Sequence, residues 1–151
     1  MTIVTPELLT RYDVSGPRYT SYPTADRFVD AFGEQDYVLA LGQRRQSPVG
    51  KALPLSIYVH IPFCESLCYY CACNKIITKH HDRADVYLRY LQRGIDLHTA
   101  HCGVGQMVSQ IHFGGGTPTF LSDAGLRDLM GMLRSSFTLV PGGEYSIEVD
   151  P

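Results

Sequence analysis

The chain has 151 residues, enough for one ordinary domain, and its 44% hydrophobic and 19% charged residues are typical of a protein with a buried core. Its net charge is −2, so composition gives no reason to expect nucleic acid or an anionic membrane as a partner. No apolar run approaches the roughly 18 residues of a membrane span, and the first residues lack the pattern of a secretory signal. We therefore expect a cytoplasmic protein.

The first 50 residues are predicted to be an irregular N-terminal segment. The stretch PRYTSYPT at 17–24 combines two prolines with tyrosine, threonine and serine, which is typical of extended chain. A short helix is expected over 34–46, and the Ser-Pro pair and glycine at 47–50 indicate a linker. Residues 51–151 form the second predicted domain.

The second domain alternates strands and helices. Strands are predicted at 55–61, 107–113 and 144–150, and helices over 83–100 and after an N-cap at Ser122. The connections are long enough for right-handed crossovers between parallel strands. The order β-α-β-α-β therefore predicts a parallel α/β fold.

Alternation along the predicted strands separates an apolar face from a polar one. In the first strand Ile57 and Val59 point one way, whereas Tyr58 and His60 point the other. The polar face indicates a barrel lumen, and ligands of such folds bind at the carboxyl ends of the strands. Because a closed barrel needs about 250 residues, we expect the N-terminal part of a longer polypeptide, or alternatively a small open-sheet domain.

Four of the five cysteines lie in one short loop with the spacing C-x₃-C-x₂-C-x-C. In a reducing compartment such crowding indicates a metal or an iron–sulfur cluster rather than disulfides. Cys64, Cys68 and Cys71 are suited to three corners of a [4Fe–4S] cube, which leaves one iron open to a chelating ligand. A zinc site completed by Cys73 or His60 is the alternative.

Two further features lie at the ends of the next strands. A glycine run, Gly114 to Gly116, precedes Thr117 and allows a ligand to approach the backbone closely, although it also fits a plain strand-to-helix turn. Glu148 lies on the polar face of the third strand. It is a candidate acceptor for ribose hydroxyl groups, or a structural carboxylate paired with a basic residue.

The cysteine loop resembles the radical S-adenosylmethionine (SAM) signature C-x₃-C-x-φ-C, in which φ is aromatic and is Tyr70 here. The segments SGPRYTSYPTADRF, YVHIPFC, HFGGGTPTFL and SIEVDP, together with Cys73, are similar to the bacterial oxygen-independent coproporphyrinogen III oxidase (dehydrogenase) family. The resemblance runs from about Tyr12 to Pro151. It implies the N-terminal β-α-β-α-β part of a TIM-like, partial radical SAM barrel.

The resemblance implies an oxidoreductase of haem and porphyrin biosynthesis. The expected reaction converts two propionates of coproporphyrinogen III to vinyl groups by oxidative decarboxylation, giving protoporphyrinogen IX. It implies a monomer that uses a [4Fe–4S] cluster, two molecules of S-adenosyl-L-methionine, and an unidentified electron donor and acceptor.

The resemblance also implies roles for individual residues. The cluster ligands would be Cys64, Cys68 and Cys71. The first SAM would be contacted by Tyr58, Gly115 and Glu148, and the second by Tyr70, Gly116 and Thr117. Arg18, in the PRYTSYPT segment, is expected to pair with a substrate propionate, and the role of Cys73 stays open.

Two other functions fit parts of the pattern. A haem-trafficking relative of the same family, which is a binding protein, typically lacks the PRYTSYPT segment and the cysteine equivalent to Cys73. A zinc-stabilised binding module would contain zinc instead of iron and acid-labile sulfide. We also expect the isolated 151-residue piece to be poorly soluble and without oxidase activity, because its last strand would be exposed.

Overall fold

The computed structural model describes residues 4–13, 24–69 and 74–150. The chain forms two compact units, Met1–Tyr37 and Val38–Pro151. The first contains helix α1 (Pro6–Tyr12), which was not predicted, and one 3₁₀ turn at Ala25–Arg27. The stretch predicted to be extended at 17–24 lies, apart from its last residue, outside the described residues. The proposed division into 1–50 and 51–151 stays a prediction.

Two helices precede the sheet. Helix α2 (Glu34–Gln46) has the predicted bounds. The predicted linker after it is wrong, since helix α3 (Pro48–Ala52) occupies most of that stretch. Ser47 caps α3 by accepting a hydrogen bond from the Gly50 N–H at 3.2 Å, and proline is well suited to the first helical position.

The remaining elements alternate as predicted. In chain order they are β1 (Leu55–Ile61), β2 (Phe63–Cys64), β3 (Ile76–Ile77), α4 (Asp82–Cys102), β4 (Gln106–Gly115), a 3₁₀ turn (Pro118–Phe120), α5 (Asp123–Ser136) and β5 (Phe137–Ile147). Strands β1, β4 and β5 form a parallel sheet with β4 in the centre. The predicted parallel α/β fold is therefore confirmed.

The core lies between this sheet and helices α4 and α5. Its largest fully buried side chains include Ile61, Ile111, Leu129 and Leu133. On the other face of β1, Tyr58 is 57% exposed, as the alternation predicts. None of the described helices is long and apolar enough to cross a membrane.

Strand β5 differs from the prediction in three ways, the first of which is that it ends at Ile147 rather than at residue 150. It begins at Phe137, seven residues earlier than expected, and Val108 pairs with Leu139 whereas Gln110 pairs with Glu144. The extra residues form a bulge that accommodates a Pro-Gly-Gly sequence, which is otherwise typical of a turn. The predicted apolar face of β5 is also not buried at its end, where Ile147 is 43% exposed.

The cysteine loop, predicted to be irregular over 62–75, contains strand β2 and is followed by strand β3. Strand β2 pairs with β3 in parallel, and the Thr78 N–H donates to the Cys64 carbonyl at 2.9 Å. Two-residue strands are too short for any periodic pattern in the sequence to indicate them.

Candidate functional site

One cavity of about 320 Å³ lies at the carboxyl ends of β4 and β5 and of the short strand β2. Its described lining consists of Cys64, Glu65, Ser66, Cys68, Gly115, Gly116, Thr117, Glu148, Val149 and Asp150. The structure therefore brings six of the residues singled out from the sequence to one place. Tyr70, Cys71, Cys73 and Arg18 lie outside the described residues.

The two described loop cysteines differ in environment. Cys64 ends β2 and is buried, whereas Cys68 is exposed on the loop. The Thr117 hydroxyl donates to the Cys64 sulfur at 3.7 Å, so a side chain from the β4 end reaches the cysteine directly. Both cysteines belong to the wall of the same cavity.

The glycine run, Gly114 to Gly116, called the glycine turn below, packs directly against β1 and β2. The Gly116 N–H donates to the Ile61 carbonyl at 2.7 Å, and the Thr117 N–H donates to the Phe63 carbonyl at 2.8 Å. A Cβ on Gly116 would lie 2.6 Å from the Phe63 oxygen and 3.0 Å from the Cys64 sulfur. Gly115 has φ = +115°, which L side chains rarely adopt. Both positions therefore require glycine.

Glu148 directly follows β5 and is held at three points. Its N–H donates to the Phe113 carbonyl at 2.9 Å and so extends the sheet by one hydrogen bond. Its carboxylate accepts from the Gly115 N–H at 3.2 Å, and its other oxygen lies 3.2 Å from His112 Nε2. The carboxylate is thus held beside the glycine turn at the edge of the cavity.

Tyr58 lies beside this cavity rather than in its described lining. Its ring stacks on that of His112, with 5.8 Å between centroids and 16° between planes. Its hydroxyl lies 3.0 Å from His60 Nδ1, and His60 Nε2 lies 2.8 Å from the Asn74 carbonyl. Because a carbonyl only accepts, Nε2 donates and the neutral ring accepts at Nδ1 from the tyrosine.

Sequence reasoning missed several residues of this site. Glu65 lines the cavity and lies 3.1 Å from His81 Nε2, and Ser66 and Asp150 are also in the lining. Alternation along β4 predicts that His112 lies on the polar face, but it does not predict the contact with Glu148. That contact depends on side-chain conformation, for which the sequence carries no pattern.

The donor set fits a cluster held by cysteines. Within residues 4–13, 24–69 and 74–150, no three His, Cys, Asp or Glu side chains are grouped to hold a metal ion. The two described cysteines nevertheless share one cavity, and the absence of a side chain at Gly116 leaves space beside the Cys64 sulfur. Soft sulfur donors favour iron–sulfur clusters or zinc over hard cations such as Mg²⁺.

Several known proteins are similar to this chain in sequence. No family model matches. Oxygen-independent coproporphyrinogen III oxidase from Pseudomonas aeruginosa is 52% identical over 147 residues, covering 96% of this chain and 31% of that protein. The Escherichia coli relative of the same name is 49% identical over 144 residues, covering 95% and 30%. The relative of that name from Mannheimia haemolytica is 45% identical over 144 residues, covering 95% of this chain and 94% of that sequence.

A solved structure agrees with these relatives. Coproporphyrinogen III oxidase from Escherichia coli, described as a radical SAM enzyme, matches with a TM-score of 0.78 and 44% identity over 99% of this chain and 31% of that one. The chain spans about a third of the length of the first two relatives. At 45% identity over 94% of the Mannheimia haemolytica sequence, the chain belongs to the oxygen-independent coproporphyrinogen III oxidase family.

Proposed function

We propose that this chain is the N-terminal part of an oxygen-independent coproporphyrinogen III oxidase. In the proposed reaction, each of two propionates loses a hydrogen atom from its β-carbon, one carbon dioxide and one electron, and becomes a vinyl group. The hydrogen atom would go to the adenosyl group of SAM, and the electron would pass to an acceptor. The observation that carries the proposal is one cavity bordered by Cys64, Cys68, the glycine turn and Glu148. Family membership supports it, although the activity named for the relatives belongs to longer chains.

Cys64 and Cys68, together with Cys71, would hold a [4Fe–4S] cluster. When bound, the cluster supplies the electron for reductive cleavage of SAM, and the protein contributes binding, orientation and exclusion of water. Burial of Cys64 supports such a role, because it keeps one ligand away from solvent. A thiolate-held cluster also needs reduced cysteines, so a cytoplasmic location is part of the proposal.

The cavity walls on the β4 and β5 side would hold SAM. Each oxygen of the Glu148 carboxylate accepts one hydrogen bond from the protein. A carboxylate has about four acceptor positions, so capacity for ribose hydroxyls is left. Gly115 would let the first SAM approach the backbone, with Tyr58 beside it. Gly116 and Thr117 would border the second SAM together with Tyr70.

The N-terminal segment would contribute to substrate binding. We keep Arg18 as the proposed partner of a propionate, since guanidinium and carboxylate groups form strong paired hydrogen bonds. We also propose that the intact protein is a monomer and receives electrons from a donor that this chain does not identify.

A chimera tests the proposed activity, because this chain spans about a third of its relatives. This chain replaces the matching 147 residues of the Pseudomonas aeruginosa relative. After anaerobic reconstitution with iron and sulfide, we expect the chimera to convert coproporphyrinogen III to protoporphyrinogen IX in the presence of SAM. Chromatography of the oxidised porphyrins measures the conversion.

Two cysteine variants of the chimera provide matched controls. Cys68→Ala should abolish both conversion and cluster absorption, because it removes a proposed ligand. Cys102→Ala should retain both, because Cys102 is a buried thiol at the end of α4 and does not line the cavity. A chimera that binds zinc in place of iron, or a Cys68→Ala variant that still turns over, would contradict the proposal.

A further inference from the structure

His112 lies at the centre of a row that crosses the three described strands of the sheet. It pairs in register with Tyr58 on β1 and with Ser146 on β5. Since residues at one register position have side chains on the same face, the three form a continuous polar row. Glu148 follows two positions beyond Ser146 and lies on the same face.

Both ring nitrogens of His112 have partners. Nε2 lies 3.2 Å from a Glu148 oxygen, and Nδ1 lies 2.8 Å from the Ser146 hydroxyl. An ionised carboxylate only accepts, so Nε2 donates, and in the neutral ring Nδ1 accepts from the serine. The Glu148 carboxylate thus selects the tautomer that donates to it, and the Ser146 hydroxyl, which can donate or accept, donates to the other ring nitrogen. Stacking on Tyr58 limits rotation of the ring.

The backbone beside this pair is shaped to let it form. A Cβ on Gly114 would lie 3.0 Å from Glu148 Oε2 and 3.0 Å from His112 Nε2, closer than ordinary contact. The Gly115 N–H then donates to the same Oε2 at 3.2 Å. A glycine without a side chain and a donating amide therefore accommodate the carboxylate on one side, and His112 donates to it on the other.

The contact between His112 and Glu148 is too exposed to contribute much to the stability of the fold. The His112 and Glu148 side chains are 42% and 55% exposed, and exposed ion pairs contribute little to folding. We propose that His112 is a positioning residue, which holds the Glu148 carboxylate in the orientation that receives the ribose hydroxyls of SAM. The inference rests on the proposed function, because it assigns Glu148 to SAM.

The test measures SAM affinity by anaerobic calorimetry on the cluster-loaded chimera. His112→Phe keeps a ring for stacking and loses both nitrogens, whereas His112→Gln restores a donor that can reach Glu148. We expect His112→Phe to weaken SAM binding about tenfold, and His112→Gln to stay within about twofold of the unsubstituted protein. Iron content and melting temperature should be nearly unchanged in both.

A double substitution asks whether His112 acts through Glu148. Glu148→Ala should weaken SAM binding by itself, and adding His112→Phe should weaken it no further, because the orientated group is already absent. Two results would overturn this inference and leave the proposed function standing. One is an equal loss of SAM affinity in His112→Phe and His112→Gln. The other is that His112→Phe weakens SAM binding as much in the Glu148→Ala variant as in the unsubstituted chimera. An unsubstituted chimera that binds no SAM would overturn the proposed function, and this inference with it.

Discussion

At the scale of single residues, Gly116 has little freedom to change. Its position between the Phe63 carbonyl and the Cys64 sulfur leaves no space for a methyl group. The nearest obstacle is backbone, which cannot rotate away as the end of a long side chain can. Displacement of β2 would therefore be the consequence of any side chain at this position.

We predict that Gly116→Ala lowers the iron content of the reconstituted chimera by more than half and its stability by about 1 to 3 kcal/mol, since overpacking costs that much. Iron analysis and thermal unfolding measure the two effects. Gly131→Ala is the matched control, because no atom lies within 4 Å of its added Cβ and alanine favours the helix α5 by up to about 1 kcal/mol. Normal iron content in Gly116→Ala would contradict the proposed packing.

Only some of the residues that line the cavity can be predicted from the sequence. The C-x₃-C spacing and the placement of glycines after a strand are enough to single out Cys64, Cys68 and Gly116 in the sequence. The contact between His112 and Glu148 is not accessible in this way. It depends on a two-residue offset between neighbouring strands and on the rotamers of both side chains.

At the scale of elements, Tyr87 links helix α4 to strand β1. Its hydroxyl donates to the His60 carbonyl, and its ring meets that of Phe63 edge-on, with 5.7 Å between centroids. Burial raises the pKa of Tyr87, and the nearby Tyr58 raises it further. The protonated phenol is thus the form that stabilises the fold.

We predict that Tyr87→Phe lowers the free energy of unfolding by about 1 kcal/mol at neutral pH, because a carbonyl loses its donor. The folded pKa is raised, so the tyrosine contribution is fully present below the ordinary value of about 10 and is lost as pH rises through the folded pKa. Urea unfolding of the chimera and its variant across this range should show the difference shrinking at alkaline pH. A difference that grows with pH would contradict the assignment.

The helices and strands differ in how accurately the sequence pattern predicts their bounds. Strand β1 has the predicted bounds, because aliphatic residues alternate with serine, tyrosine and histidine through all of it. Strand β5 begins earlier than predicted, because a bulge absorbs Pro141 without requiring a ladder hydrogen bond from it. Helix α3 was not predicted, because the Ser47-Pro48 pair is found both in linkers and at the capped start of helices. The local sequence does not decide between the two.

At the scale of the whole molecule, β5 is an edge of the described sheet. It pairs with β4 alone among the described strands, and its last apolar side chains are exposed, with Tyr145 at 45% and Ile147 at 43%. An edge with exposed apolar residues favours association with other chains.

We predict that the isolated 151-residue chain self-associates and that Ile147→Lys increases its monomeric fraction severalfold, since charge on an edge strand opposes pairing. Sedimentation velocity measures the distribution. Val104→Lys is the control, because Val104 is 70% exposed outside the sheet and its substitution should change little. A monomeric unsubstituted chain would show that β5 is not an association surface.

The site cannot be transplanted as a single peptide. Two backbone hydrogen bonds join the glycine turn to the strands before the cysteine loop. Gly116 donates to Ile61 at the end of β1, and Thr117 donates to Phe63 in β2. Cys64 and Thr117, which contact each other, are 53 residues apart in the chain. A host protein given only the cysteine loop would leave two carbonyls without donors and would lose the surface against which Cys64 rests. Because Glu148 follows β5, the smallest portable unit is the three adjacent parallel strands β1, β4 and β5 with the segment that follows each.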